Sequence, residues 1–247
     1  MLHIWLYTLG SVGVVSLMSL LGVFTLGVSE RRIRGWLFNL VSFSAGALLG
    51  DVFLHIFPEF HNQGFTTTTG CYILFGILVF FVLERFILWH HSHTSHDEHV
   101  HSVVYLSLLG DALHNFIDGI VIAASFLVDV HLGFASALAV LFHEIPHEIG
   151  QYAILIHGGW DKYKALAYNF LSGVASIAGA LLVLSFNKPL HASSSFLLAF
   201  SASSFIYIAM SDLIPELHKE AGIKKSLLQF GWLLLGIGIL ALLLRLE

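Results

Sequence analysis

The chain has 247 residues, of which 57% are hydrophobic and only 11% are Asp, Glu, Lys or Arg, with a mean hydropathy of +0.84. A soluble domain carries about 25% charged residues, so a soluble globular enzyme is excluded, and so is a disordered chain, which needs low hydrophobicity and high charge. Eleven Lys and Arg against 16 acidic residues leave no basic surface for nucleic acid, and the single Cys71 can form neither an internal disulfide nor a thiolate metal cluster.

The predicted elements are eight apolar runs, each long enough to cross a bilayer as a helix of about 20 residues. Span one, 4–28, lacks a charged leader and is too long for a signal peptide, so it reads as a retained helix. After ERRIRG comes span two, 36–58, with Asp51 and His55 four apart on one face. Span three, 70–89, ends on Glu84-Arg85, most simply a neutralised pair. A polar segment, 90–101, then gathers His90, His91, His93, His96, His99 and His101, a tract that binds metal without fixed geometry. Span four, 102–128, contains GDALHNFIDG, and span five, 133–157, contains HEIPHEIGQ, with a short turn near 130 between them. Span six, 165–186, offers Asn169, Ser172 and Ser176. Span seven, 191–215, ends beside Asp212, Pro215 and Glu216, and span eight is 227–245.

Lys and Arg near helix ends set orientation. Arg31, Arg32, Arg34, Arg85, Lys162, Lys164, Lys219, Lys224 and Lys225 fall on one side and only Lys188 and Arg245 on the other. That bias puts both termini outside the cytosol and segment 90–101 inside it. A gapless shift of 157 residues maps spans one to three onto six to eight, so that Phe43, Ser44 and Ala45 meet Phe200, Ser201 and Ala202, and Pro58, Glu59 and His61 meet Pro215, Glu216 and His218. The related spans run in opposite directions. The expected fold is therefore an all-α membrane protein of eight transmembrane helices in a 3+2+3 arrangement with inverted repeats, helices 1–3 and 6–8, a plan associated with transport sites near the midplane.

An ionisable side chain at a helix centre costs about 2.5–3.5 kcal/mol on insertion scales, so a cluster of them marks function. In span four Asp111, His114, Asn115 and Asp118 form one stripe; in span five His143, Glu144, His147, Glu148 and Gln151 form another. An antiparallel hairpin turning near 130 brings His114 opposite His147 and Asp118 opposite His143. Imidazole with carboxylate, and no thiolate, suits zinc, with iron, manganese or cobalt possible on ligand type. Pro146 withholds a backbone donor and frees the carbonyl of Phe142 beside the cluster. His143 to His147 also fits the HExxH pattern of zinc metalloproteases, so an intramembrane protease is the rival class; the internal proline and the ligand-rich partner helix argue against it.

HNFIDG at 114–119 and HEIPHE at 143–148 resemble the fourth- and fifth-helix signatures of the ZIP (Zrt/Irt-like protein) metal transporters, closest to the subfamily with HExPHE in its fifth helix. The likeness extends through DVFLHIFPE at 51–59, NFLSG at 169–173 and DLIPE at 212–216, so residues 1–247 are expected to form one ZIP transmembrane domain, with 90–101 a His-rich cytosolic loop between helices 3 and 4. The resemblance implies transport of zinc, and of iron, manganese or cadmium in some members, toward the cytosol by an elevator movement of helices one, four, five and six against a scaffold that also makes a homodimer. It implies a first metal on His114, Asp118, His143 and His147 and a second on Asn115, Asp118 and Glu144, with Asp118 bridging. Asp51 and His55 would join the pathway, while Asp111 and Glu148 would serve it or orient ligand histidines. Two departures stand out: Gln151 replaces an aspartate usual in this subfamily, and span six offers Asn169, Ser172 and Ser176 where some members place a glutamate ligand. The expected partners are a divalent metal ion as substrate, the lipid bilayer and a second copy of the chain, with no organic cofactor and no nucleic acid. The plasma membrane is the expected location.

Overall fold

The computed structural model describes residues 2–22, 30–91, 99–186, 194–219 and 222–245, without the side chains of 30–36, 61–63, 86–91, 99–103, 106 and 194. Among these residues all regular structure is helical. Eight helical segments follow the eight apolar runs. Helix α1 is Leu2–Met18. Helix α2 comprises Glu30–Asp51, a π-turn at Val52–Ile56 and Phe57–Gln63. Helix α3 is Thr67–His91, α4 is His99–Val128 and α5 is Val130–His157. Helix α6 comprises Lys162–Gly173 and Ala175–Ser185, interrupted at Val174. Helix α7 comprises Ser194–Tyr207, a π-turn at Ile208–Leu213 and Ile214–Leu217, and α8 is Ile223–Leu243.

Six of the helices are long and apolar enough to cross a bilayer: Leu37–Phe60, Thr67–Arg85, Ser107–Val128, Lys162–Ser185, Ser195–Leu217 and Ile223–Leu243. The chain is a multi-pass membrane protein. Eight such spans were expected, and the two that differ do so for physical reasons. The described part of α1 has 17 residues, short for a crossing. Helix α5 has 28 residues but is diluted by His143, Glu144, His147 and Glu148, the residues that set it apart functionally.

The helices form two groups. Helices α1, α4, α5 and α6 pack on one another; α8 packs along α2, and α3 along α7. The groups meet where α2 lies on α5 and α7 on α4. Small residues draw backbones together within each group, as in other membrane helix pairs. A Cβ at Gly119 of α4 would strike the Ser176 carbonyl of α6, and one at Gly179 of α6 the Phe116 carbonyl of α4. Gly46 of α2 and Gly236 of α8 approach the Leu233 and Phe43 carbonyls in the same way. The outer faces are apolar: Leu74, Phe75, Leu78 and Val82 of α3 and Leu227, Leu228, Phe230 and Leu234 of α8 are all exposed. Hydrocarbon is the solvent such a surface fits.

Three local features bear on the site. The α4–α5 hairpin turns at Asp129, whose carboxylate accepts from the backbone N–H groups of His131 (2.8 Å) and Leu132 (3.1 Å) and so caps α5. Inside α5, Pro146 leaves the Phe142 carbonyl without its own-helix donor, and the Ser44 hydroxyl of α2 donates to it at 2.6 Å. The π-turns of α2 and α7 each close with an i+5 bond, from Phe57 N–H to the Val52 carbonyl and from Ile214 N–H to the Ala209 carbonyl, and each is followed at once by proline, Pro58 or Pro215.

Candidate metal centre

The hairpin register brings the two polar stripes face to face. The His114 and His147 rings stack with centroids 4.5 Å apart, and His143 Nε2 lies 3.1 Å from Asp118 Oδ2. Four donor atoms from the two helices converge: His114 Nε2, Asp118 Oδ2, His143 Nε2 and Glu144 Oε1, all within 4.8 Å of one another. His114 Nε2 lies 3.1 Å from His143 Nε2, 3.2 Å from Glu144 Oε1 and 3.7 Å from Asp118 Oδ2, while His143 Nε2 lies 3.5 Å from Glu144 Oε1. Four ligands at the about 2.0–2.1 Å typical of zinc lie about 3.3–3.4 Å from each other in a tetrahedron. The observed separations scatter around that edge length.

The chemistry of the donors fits a cation. Asp118, His143 and Glu144 are almost wholly buried, and neither carboxylate finds a hydrogen-bond donor for either oxygen. Buried acceptors without donors cost about 1–3 kcal/mol each, more when charged, and a divalent ion is the group that satisfies them together. Histidine orientation fits as well. His143 Nδ1 donates to the Ala139 carbonyl at 3.3 Å, which leaves the lone pair of the neutral ring on Nε2, the atom in the cluster.

The remaining expected residues fall around this core. His147 turns Nδ1 toward Asp111 Oδ1 at 3.3 Å and stays 3.9 Å from Glu144 Oε1, so Glu144 takes the fourth corner expected of His147. With its side chain 36% exposed against 1% for His143, His147 marks where the cluster opens. The Ser172 hydroxyl of α6 donates to Asp111. Asn115 donates its amide to the Asp111 carbonyl at 3.2 Å and to Glu148 at 3.5 Å. Glu148 accepts from the hydroxyl of Ser19, in the turn after α1, and from the Asn169 amide of α6, both at 2.6 Å. Gln151 accepts from Ser107 at 2.7 Å, away from the four donors.

Asp51 and His55 are buried but belong to the α2 interface: Asp51 accepts from Ser136 of α5 at 2.8 Å, and His55 donates to the Leu240 carbonyl of α8 at 3.0 Å. Glu84 accepts from the Tyr207 hydroxyl and Arg85 lies over the Phe81 ring, which replaces the expected Glu84–Arg85 pair. His93 and His96 lie outside the described residues, as do the side chains of His90, His91, His99 and His101. Sequence reasoning gave no role to Ser19 or Ser44. Isolated serines in apolar helices carry no signal until their partners, 129 and 98 residues away, are in place.

A model of the ZIP zinc transporter family matches residues 2–105 and 88–244 of the chain. Zinc transporter ZIP13 of Pongo abelii is 33% identical over 220 residues, covering 83% of this chain and 66% of that protein. Zinc transporter ZIP13 of Danio rerio is 30% identical over 263 residues, with 83% and 75% covered. Zinc transporter zipt-7.1 of Caenorhabditis briggsae is 29% identical over 310 residues, with 97% and 79% covered. The chain thus spans roughly two thirds to four fifths of the length of these relatives.

Proposed function

This chain belongs to the ZIP zinc transporter family, and on that footing we propose that it carries zinc toward the cytosol through an intramembrane site between α4 and α5. The observation that carries the reading is the convergent set of His114, Asp118, His143 and Glu144, whose two carboxylates are buried and lack hydrogen-bond donors. The family is one of transporters and not of enzymes, which removes the protease reading. Geometry supports the same conclusion, because His143 shares its donor set with His114 of the facing helix and not with His147. Iron, manganese and cadmium accept the same nitrogen and oxygen donors and are secondary substrates of the proposal. His147 enters as the ligand nearest the opening.

A second ion would sit on Asn115, Asp118 and Glu144, with Asp118 shared. In its support, Asn115 Oδ1, Asp118 Oδ1 and Glu144 Oε2 are all buried without hydrogen-bond partners. The movement is of elevator type: all ligands ride on α4 and α5, which are joined to α1 and α6, while α2, α3, α7 and α8 form the scaffold and its dimer surface. The inverted repeat is supported by the π-turn bonds, since Phe57 to Val52 becomes Ile214 to Ala209 on adding 157 to each number. Residues 90–101 are assigned as a cytosolic His-rich acceptor for released metal.

Uptake of radiolabelled zinc into proteoliposomes should fall to background in His143→Ala/His147→Ala; uptake at the wild-type rate would remove the site from the transport path. The proposed orientation places both termini on the non-cytosolic side, outside the cell or in an organelle lumen. In a Cys71→Ser background, single cysteines at Leu2 and Leu244 should react with an impermeant maleimide from that side only. Labelling from the cytosol would invert the topology.

A further inference from the structure

Glu148 is a buried carboxyl group one turn from Glu144 on α5, outside the four-donor set, yet it is gripped by two helices and by the turn that follows α1. Ser19 of that turn donates to Oε1 at 2.6 Å, Asn169 of α6 to Oε2 at 2.6 Å, and Asn115 of α4 to Oε1 at 3.5 Å. Asn169 is itself fixed by a second bond to the Ser19 carbonyl at 2.9 Å.

The consequence falls on Asn115. Its amide nitrogen faces two acceptors, the Asp111 carbonyl and Glu148 Oε1. Turning the amide over would set oxygen against oxygen at both places, so the Asp111 carbonyl and Glu148 together set which way the amide lies. The carbonyl oxygen of Asn115 is thereby directed away from Glu148, and it is buried with no hydrogen-bond partner, like both oxygens of Glu144 and of Asp118.

We propose that Glu148 is a positioning residue: anchored by Ser19 and Asn169, it orients the Asn115 amide so that its carbonyl oxygen serves as a metal ligand. This rests on the transport-site reading above and adds that the turn after α1 and helix α6, which give no atom to the four-donor set, tune the second ion through Glu148. The same kind of outer partner fixes ligand histidines in other metal sites, and its loss weakens binding by about 10–100-fold.

Glu148→Gln tests the proposal because the substitution keeps the shape and changes only the donor pattern. The new amide group avoids Asn169, which is held as a donor by two acceptors, and turns toward Ser19, whose hydroxyl can switch to accepting. There it meets the Asn115 nitrogen, N–H against N–H, and pushes that amide out of its setting while the Asp111 carbonyl opposes a full turn. Zinc titration calorimetry on the purified full chain should show two zinc ions in the wild type, and in Glu148→Gln a first site within about threefold of wild type and a second weakened at least about tenfold. The selective loss of the second zinc is the decisive readout, because a general structural defect would weaken both sites.

Unchanged binding in Glu148→Gln, an equal loss at both sites, or a single zinc in the wild type would each overturn the proposal. If Glu148→Gln cannot be recovered folded, Ser19→Ala, which removes one anchor, should weaken the second zinc several-fold; unchanged binding there overturns it as well. His143→Ala separates the two levels of inference. Zinc binding that survives His143→Ala unaltered refutes the transport-site reading, whereas loss in His143→Ala beside normal binding in Glu148→Gln refutes the positioning role alone.

Discussion

Asp118→Ala should abolish zinc uptake and, in the absence of metal, leave a protein that melts at the wild-type temperature or higher. The two effects have one cause. Asp118 is fully buried, and neither of its oxygens has a hydrogen-bond donor, while the equally buried Glu144 shares its donor set. Without a cation these carboxylates repel each other across a low-dielectric gap, so deleting one relieves the metal-free protein. With a cation the loss is of a direct ligand, and even an outer-shell partner is worth about 10–100-fold in affinity. At zinc 100 times its dissociation constant the wild type should gain about 2.7 kcal/mol of stability from binding, and the variant essentially none. Thermal melts with and without zinc, beside uptake in proteoliposomes, make the comparison. A variant that still transports zinc, or one that still gains stability from it, would contradict the ligand role of Asp118.

The second large effect is on folding. Gly119→Ala should lower the melting temperature of the purified protein by about 2–12 °C, because overpacking costs about 1–3 kcal/mol and each kcal/mol is worth about 2–4 °C in a chain of this size. The added methyl group would meet the Ser176 carbonyl of α6. A backbone atom cannot rotate aside, so α4 and α6 must separate, and with them the Gly179 contact on the Phe116 carbonyl, which closes the same seam from the other side. Gly238→Ala on α8 is the matched control. No atom lies within 4 Å of a Cβ at that position, and alanine favours a helix over glycine by about 0.8–1.0 kcal/mol. Equal melting temperatures for the two variants would mean that α4 and α6 are not in backbone contact.

Much of the molecule is legible in the sequence because the membrane simplifies the code. An apolar run of about 20 residues has little choice but to be a helix, and the eight segments follow the eight runs closely, with α4 ending at Val128 and α5 at His157 as their runs do. The face-to-face register of α4 and α5 is legible for a different reason: the single-residue turn at Asp129 leaves the hairpin no freedom to slip. What was not legible depends on long-range partners. The run holding α5 reads as a span, yet only the fold shows that the four converging atoms include Glu144, with the His147 ring stacked on His114 and its Nδ1 3.3 Å from Asp111. Nothing local marks Ser19 as an anchor of Glu148, or Val174 as the break in α6. The prolines at 58 and 215 do not by themselves mark the π-turns, because a proline at that spacing is compatible with a kink as well.

The hydrogen bond from Ser44 to the Phe142 carbonyl constrains motion as well as structure. Proline has removed the donor that α5 would have supplied to itself, so the backbone of this helix is completed by a side chain from another helix, across the boundary between the two groups. Water can complete such a bond in solution, but hydrocarbon cannot, and a bare carbonyl there costs on the order of several kcal/mol. In the proposed elevator movement, helix α5 therefore cannot glide past α2 as a smooth rod. Each position it rests in must offer that carbonyl a donor or a route to water, which makes the contact a detent: a small number of allowed stops separated by unfavourable intermediate settings.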